Sequence, residues 1–249
     1  MEKIFTVVYI DSRGCGQSDP APSPTQYTWA NLDADLDALR AHLGQQKVWV
    51  MGHSESAMEV LHYACKHPKR ISGAVLLGVG GIAGKEFGPD ENARLAAHEG
   101  DPRFAEALKV TKLDQKDMPT TGPELAKLLQ AVFPLSWYDP GKIAKYADLF
   151  AGYGTFLTGA AMEGKKASHR GDLSDITADY KNLTAPVLII VGANDGNCPL
   201  DMDTRLHLAL PNSKLLVIEQ CGHFTWLEQP EAFNTRVPEF LQALGLRIN

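Results

Sequence analysis

The sequence is poor in the features that would mark a special environment. Only four cysteines occur among 249 residues, Cys15, Cys65, Cys198 and Cys221, far apart and without a CxxC pair. Reduced thiols are therefore expected rather than a disulfide framework. No run of apolar residues approaches the roughly 20 that a membrane-spanning helix requires. The first residues lack the charged and apolar regions of a secretion signal. There is no Lys/Arg-rich tract, and the net charge is −6, which disfavours nucleic acid and anionic membrane surfaces as partners. Internal repeats and low-complexity tracts are missing as well. The expectation is a soluble, cytoplasmic protein with an ordinary core.

What is present is a rhythm of short apolar runs and helical patterns. Five runs stand out: Phe5–Ile10, Val48–Met51, Ala74–Leu77, Val187–Val191 and Lys214–Ile218. They are nearly continuous in apolar residues, as parallel strands buried on both faces are. Helical patterns lie between them. Trp29–Leu43 places Leu32, Leu36, Leu39 and Leu43 on one face and turns Asp33, Asp35 and Asp37 mostly outward. Glu55–Lys66, Asp201–Leu210 and Pro230–Leu244 follow the same logic. Alternation of strand and helix predicts an α/β fold with a mostly parallel sheet flanked by helices. About a hundred residues between the third and fourth apolar runs show no strand pattern, only short helical pieces such as Glu124–Phe133 and Ile143–Phe150. The expected division is core over residues 1–80, an inserted helical cap over 81–183, and core again over 184–249.

The stretch Gly52-His53-Ser54-Glu55-Ser56 carries the chemistry. A serine hydroxyl is a weak nucleophile and needs a base, an acid to orient that base, and donors for the oxyanion. Ser54 falls between a strand and a helix, the context of a strained nucleophile elbow, and small residues stand two before and two after it. A serine that merely caps the helix is the competing interpretation. The partners arrive in the order that such a site uses. Asp195 follows the fourth apolar run, and His223 lies in the loop after the fifth. Asp201 and Asp203 are poorer acids because they fall in the next helix. The site expected is therefore Ser54, Asp195 and His223, with the Glu55 backbone N–H as an oxyanion donor.

"DSRGCGQSDP", "GHSES", "GANDGNCP", "FPLSWYDP" and "CGHFTWLEQPEAF" together resemble the α/β-hydrolase superfamily, especially its proline iminopeptidase-like branch. The resemblance implies a cofactor-independent serine hydrolase acting on a small-molecule ester or amide. The relatives carry further strands and an H-G-G-type oxyanion loop before the D-x-R-G segment, and no such motif precedes Asp11. If Phe5–Ile10 pairs directly with Val48–Met51, backbone N–H groups near Ser12 or Arg13 would stand in as the second donor. An exposed sheet edge would otherwise favour a homodimer.

Substrate contacts are expected from His53, Trp137, Tyr138 and Phe224. Cap carboxylates Glu86, Asp90, Glu91 and Glu99 are candidates for binding an α-amino group, and Tyr153 and Phe156 for an apolar pocket. An esterase is the first expectation, with aminopeptidase, lactonase, amidase and a weakly active ligand-binding relative as alternatives. Gly78, Gly80 and Ala83 formally match a dinucleotide-binding pattern. The sequel is a poor helix, so no such cofactor is expected. No metal site is expected either, since His62 and His67 are five apart and do not share a helix face.

Overall fold

The computed structural model describes residues 4–80, 98–112, 122–150 and 174–244, together with the isolated positions 2, 95 and 246. Four strands form one sheet: β1 (Val48–His53), β2 (Ile71–Leu77), β3 (Val187–Gly192) and β4 (Ser213–Ile218). They lie in the order β1-β2-β3-β4 and are parallel throughout. Their centre is almost entirely apolar, with Leu188, Ile189 and Ile190 fully buried. That is the composition a sheet covered on both faces demands.

Eight α-helices are described: α1 (Trp29–His42), α2 (Glu55–Lys66), α3 (Ala105–Thr111), α4 (Gly122–Val132), α5 (Ala147–Phe150), α6 (Leu200–Ala209), α7 (Thr225–Glu228) and α8 (Pro230–Ala243). On one face of the sheet Trp29, Leu32, Val60, Leu61 and Leu206 pack against Ala74, Leu76 and Ile189. On the other, Phe233, Val237 and Leu241 of α8 cover Val75, Leu77, Leu188 and Ile190. Burying each of these large side chains contributes about 1.5–3 kcal/mol, and alternate residues of each strand feed the two layers. None of the described helices is long and apolar enough to cross a membrane.

Of the segment expected as a cap, the described residues form helices, turns and short connections and contain no strand. The 3₁₀ stretch Ser174–Asn182 closes it. Its Ile176 and Tyr180, with the following Leu183, pack into the α2 side of the main core, so this end belongs to the core layer.

Three expectations change. Phe5–Ile10 does not join the sheet; it runs without strand pairing, and Val8, Tyr9 and Ile10 are exposed. Phe5 instead packs on Trp49, ring centroids 5.7 Å apart. An apolar run supplies a burying surface, but it does not specify a ladder partner. The following loop closes on itself. Asp11 accepts from the Gln17 N–H at 2.9 Å, Ser18 Oγ donates to the Asp11 carbonyl at 2.7 Å, and Arg13 pairs with Asp35 of α1.

The second change concerns α1. Asp33 does not face outward; it is buried and bonds His62 Nδ1 of α2 at 3.0 Å. Leu43, counted on the apolar face, is exposed. The buried stripe is thus rotated toward Trp29, Leu32 and Asp33. Asp37 is half-buried and held by Arg40, Arg70 and the Tyr63 hydroxyl.

The third concerns His62 and His67, which do converge. His67 lies beyond the last helical turn of α2, and its non-helical backbone brings Nε2 within 3.6 Å of Asp33. Sequence spacing on an ideal helix does not apply to a residue that has left the helix.

Candidate active site

Ser54 lies at the junction of β1 and α2 with φ 57° and ψ −123°, a left-handed backbone that a non-glycine residue adopts only under strain. Its side chain makes no capping bond to α2, so capping does not explain its presence. The Ser54 N–H donates to the Leu77 carbonyl at the end of β2, 2.9 Å away. The turn is tight enough that a Cβ on Gly52 would lie 2.2 Å from the Ser56 carbonyl oxygen. Only glycine fits there. The Glu55 N–H opens α2 and belongs to its electropositive end.

Asp195 follows β3, and both its oxygens are engaged. Oδ1 accepts the backbone N–H groups of Asn197 and Cys198, each at 2.8 Å, and Oδ2 meets His223 Nδ1 at 2.7 Å. Asp195 and His223 are both buried. The carboxylate therefore fixes the ring orientation and leaves Nε2 as the nitrogen available for proton transfer. Gly78, the residue after β2, has φ +50°, and a Cβ on it would sit 2.9 Å from Asp195 Oδ2 and 3.0 Å from His223 Nδ1. The end of β2 thus links the others: Leu77 accepts the Ser54 N–H from the end of β1, and Gly78 lies against the Asp195–His223 pair carried beyond β3 and β4.

The histidine loop is stitched to the 133–139 segment. The His223 N–H donates to the Ser136 carbonyl at 2.7 Å. Glu228 of α7 is buried and accepts the backbone N–H groups of Gly222 and Tyr138, each at 2.8 Å, and of Asp139 at 3.4 Å. Burial raises the Glu228 carboxyl above its ordinary pKa, and these bonds oppose the rise. Neither Ser136 nor Glu228 stands out in the sequence. Their role depends on a contact between segments about 90 residues apart in the chain.

Of the four expected substrate contacts, three gather around His223 and its neighbour Phe224. The His53 ring lies 4.3 Å from the His223 ring, and its Nε2–H donates to the His223 carbonyl at 3.0 Å. Burial, and then the neighbouring His223, hold the His53 pKa well below the usual histidine value. Phe224 and Trp137 are buried 5.3 Å apart, in a cluster with Phe133 and Phe150. Tyr138 does not join them: it is 42% exposed, and its backbone serves Glu228. Trp226, not singled out from the sequence, stands edge-on to His53 at 4.7 Å.

The expectation for Ser12 and Arg13 concerns their backbone N–H groups, whereas their bonds to Glu59, Asp35 and Gln26 are made by side chains. The Ser12 hydroxyl bonds Glu59 at 3.0 Å, and Arg13 bonds Asp35 and the Gln26 carbonyl. The strand pairing that would have carried them to Ser54 is not made. Glu99 is exposed near Lys112, whereas Glu86, Asp90, Glu91, Tyr153, Phe156 and Ala83 lie outside the described residues. Among the described residues, the one cluster with metal-ligand character is Asp195, Cys198 and His223, whose ligand atoms lie within 4.8 Å of one another. Two of its three members already bond each other.

Residues 2–230 match the family described as alpha/beta hydrolase fold, and the chain belongs to that family. It is a hydrolase of that fold. A 2-hydroxy-6-oxononadienedioate/2-hydroxy-6-oxononatrienedioate hydrolase of Pseudomonas putida is 27% identical over 96% of this chain and 77% of the relative. A 2-hydroxy-6-oxo-6-phenylhexa-2,4-dienoate hydrolase of Comamonas testosteroni is 24% identical over the same shares. Among solved structures, an esterase from Exiguobacterium antarcticum superposes with a TM-score of 0.66 at 18% identity, covering 93% of this chain and 79% of that one.

Proposed function

We propose that this chain is a cofactor-independent serine hydrolase that cleaves a carboxylic ester through an acyl-enzyme on Ser54. The observation that carries the reading is the buried 2.7 Å Asp195–His223 pair at the end of β1, where the His53 ring packs 4.3 Å from the His223 ring and the following Ser54 is strained and non-capping. In this mechanism His223 Nε2 takes the Ser54 proton as Oγ attacks the ester carbonyl. The Asp195 carboxylate stabilises the imidazolium. The oxyanion is held by the Glu55 N–H at the start of α2. Collapse of the intermediate expels the alcohol with the proton from His223, and water repeats the sequence to release the acid. The uncharged aromatic cluster of Phe133, Trp137, Phe150 and Phe224 suits an apolar acyl group.

A second reading is favoured by the two curated relatives, whose names describe hydrolysis of 2-hydroxy-6-oxo-dienoates. There the same groups would attack a ketone, and a carbon–carbon bond would break. Its electron pair would pass into the conjugated dienolate, which takes up a proton. The ester reading asks less of the site, because an alcohol leaves with one proton from His223 and no carbanion has to be stabilised.

The test compares p-nitrophenyl butyrate, 2-hydroxy-6-oxo-6-phenylhexa-2,4-dienoate and prolyl-p-nitroanilide, alongside labelling by a fluorophosphonate probe. Labelling that vanishes in Ser54→Ala, with the butyrate ester turned over best, supports the proposal. Faster bleaching of the dienoate selects the second reading, and faster anilide release selects the aminopeptidase alternative. A wild type that neither labels nor turns over any substrate would leave a ligand-binding relative.

A further inference from the structure

Asp203 is a second buried carboxyl group beside the site, and the mechanism above does not use it. It lies in the first turn of α6 and is completely excluded from solvent. Its Oδ1 accepts the Gly80 N–H at 3.2 Å. Oδ2 has no hydrogen-bond partner among the described residues. An ionised carboxylate with one bare oxygen is strongly disfavoured in such a place, and the neutral acid much less so.

The surrounding charges act in the same direction. Asp195 faces Asp203 from the loop after β3, and Asp201 from its own helix. Asp201 is exposed and paired with Arg205. His223 stands beyond Asp195 on the shared Oδ2, and the Cys198 thiol packs against Gly80. Two neighbouring buried carboxyl groups do not both ionise readily. Asp195 holds two backbone N–H groups and an imidazole, so the charge belongs there. Burial first, and Asp195 second, push the Asp203 pKa well above the usual carboxylate value.

What Asp203 holds is the turn Gly78-Val79-Gly80 that leaves β2. Both glycines have positive φ, +50° and +55°. Gly78 lies directly against the Asp195–His223 pair, and Gly80 against Cys198 of the acid loop. We propose that Asp203 is a positioning residue: a protonated carboxylic acid that fastens this turn against the Asp195–His223 pair and leaves the negative charge on Asp195.

The experiment compares wild type, Asp203→Asn and Asp203→Ala, with Asp203→Val replacing the alanine variant if that one does not fold. Kinetics rest on the serine-hydrolase reading. The far-downfield proton resonance of His223 Nδ1–H, bonded to Asp195, does not. Asp203→Asn keeps a neutral acceptor for the turn, so it should retain kcat and the downfield proton. Its acid limb of kcat/KM should also stay within about 0.2 pH unit of wild type. Asp203→Ala should lose roughly tenfold or more in kcat with little change in KM, because the pair is held less closely, and its downfield proton should shift or broaden.

An acid limb displaced downward in Asp203→Asn would overturn the protonated state, since removing a nearby anion lowers the His223 pKa. An alanine variant with wild-type kcat and an unmoved resonance would overturn the positioning role. If wild type hydrolyses nothing, the functional reading falls. In that case the resonance alone decides Asp203, retained in Asp203→Asn and displaced in Asp203→Ala if the proposal stands.

Discussion

Replacing Glu228 with alanine tests how far the histidine loop depends on one buried carboxylate. The substitution leaves two well-bonded backbone N–H groups, those of Gly222 and Tyr138, without an acceptor, and loosens a third at Asp139. A buried donor stranded in this way costs about 1–3 kcal/mol. Two of them set a loss of about 2–6 kcal/mol, and relief of the carboxylate's own desolvation moves the expectation to the lower half, about 2–4 kcal/mol. For a protein of this size one kcal/mol moves Tm by about 2–4 °C, so a drop of about 4–16 °C is expected.

The pH dependence has a definite sign. The Glu228 pKa is raised on folding, with burial the leading cause, so the folded state binds more protons there than the unfolded chain does. Its contribution is then complete below the ordinary carboxylate range and declines as pH rises through the raised value. The Tm gap between wild type and Glu228→Ala should therefore be wider at pH 5 than at pH 7.5. Paired calorimetric scans at the two pH values measure it. Equal melting temperatures, or a gap that widens with pH, would refute the assignment of Glu228 as the desolvated anchor of this loop.

Three further outcomes are expected. Gly52→Ala would place a methyl group against the Ser56 backbone at 2.2 Å. The elbow should distort, and fluorophosphonate labelling of Ser54 should slow by about 10²-fold or more while the fold persists by circular dichroism. His53→Gln should lower kcat/KM yet leave the acid limb in place, because burial already keeps His53 neutral across the working range; a moved limb in the pH–rate profile would contradict this. Asp37, held at a pKa of about 2 chiefly by its bond to Arg40, stabilises the fold above pH 4 and loses that contribution as pH falls toward 2. Asp37→Asn should thus lower Tm at pH 6 and converge with wild type near pH 2.

The local sequence was sufficient wherever a short stretch dictates its own backbone. The bounds of α2, a serine between strand and helix, glycine two residues before it, and acid and histidine at successive strand ends all follow from periodicity and turn chemistry. These are nearest-neighbour properties. Tertiary structure decided what depends on segments far apart in the chain. Phe5–Ile10 has the composition of a buried strand, yet strand formation needs a partner edge, and its apolar side chains pack on Trp49 or face solvent instead. Asp33 looks like a solvated helix residue until His62 comes to meet it. Glu228 and Asp203 read as ordinary acidic residues, and only packing against the 136–139 segment and the turn after β2 makes them buried anchors of the site. A charge's environment is set by what folding brings against it, and no stretch of sequence contains that information alone.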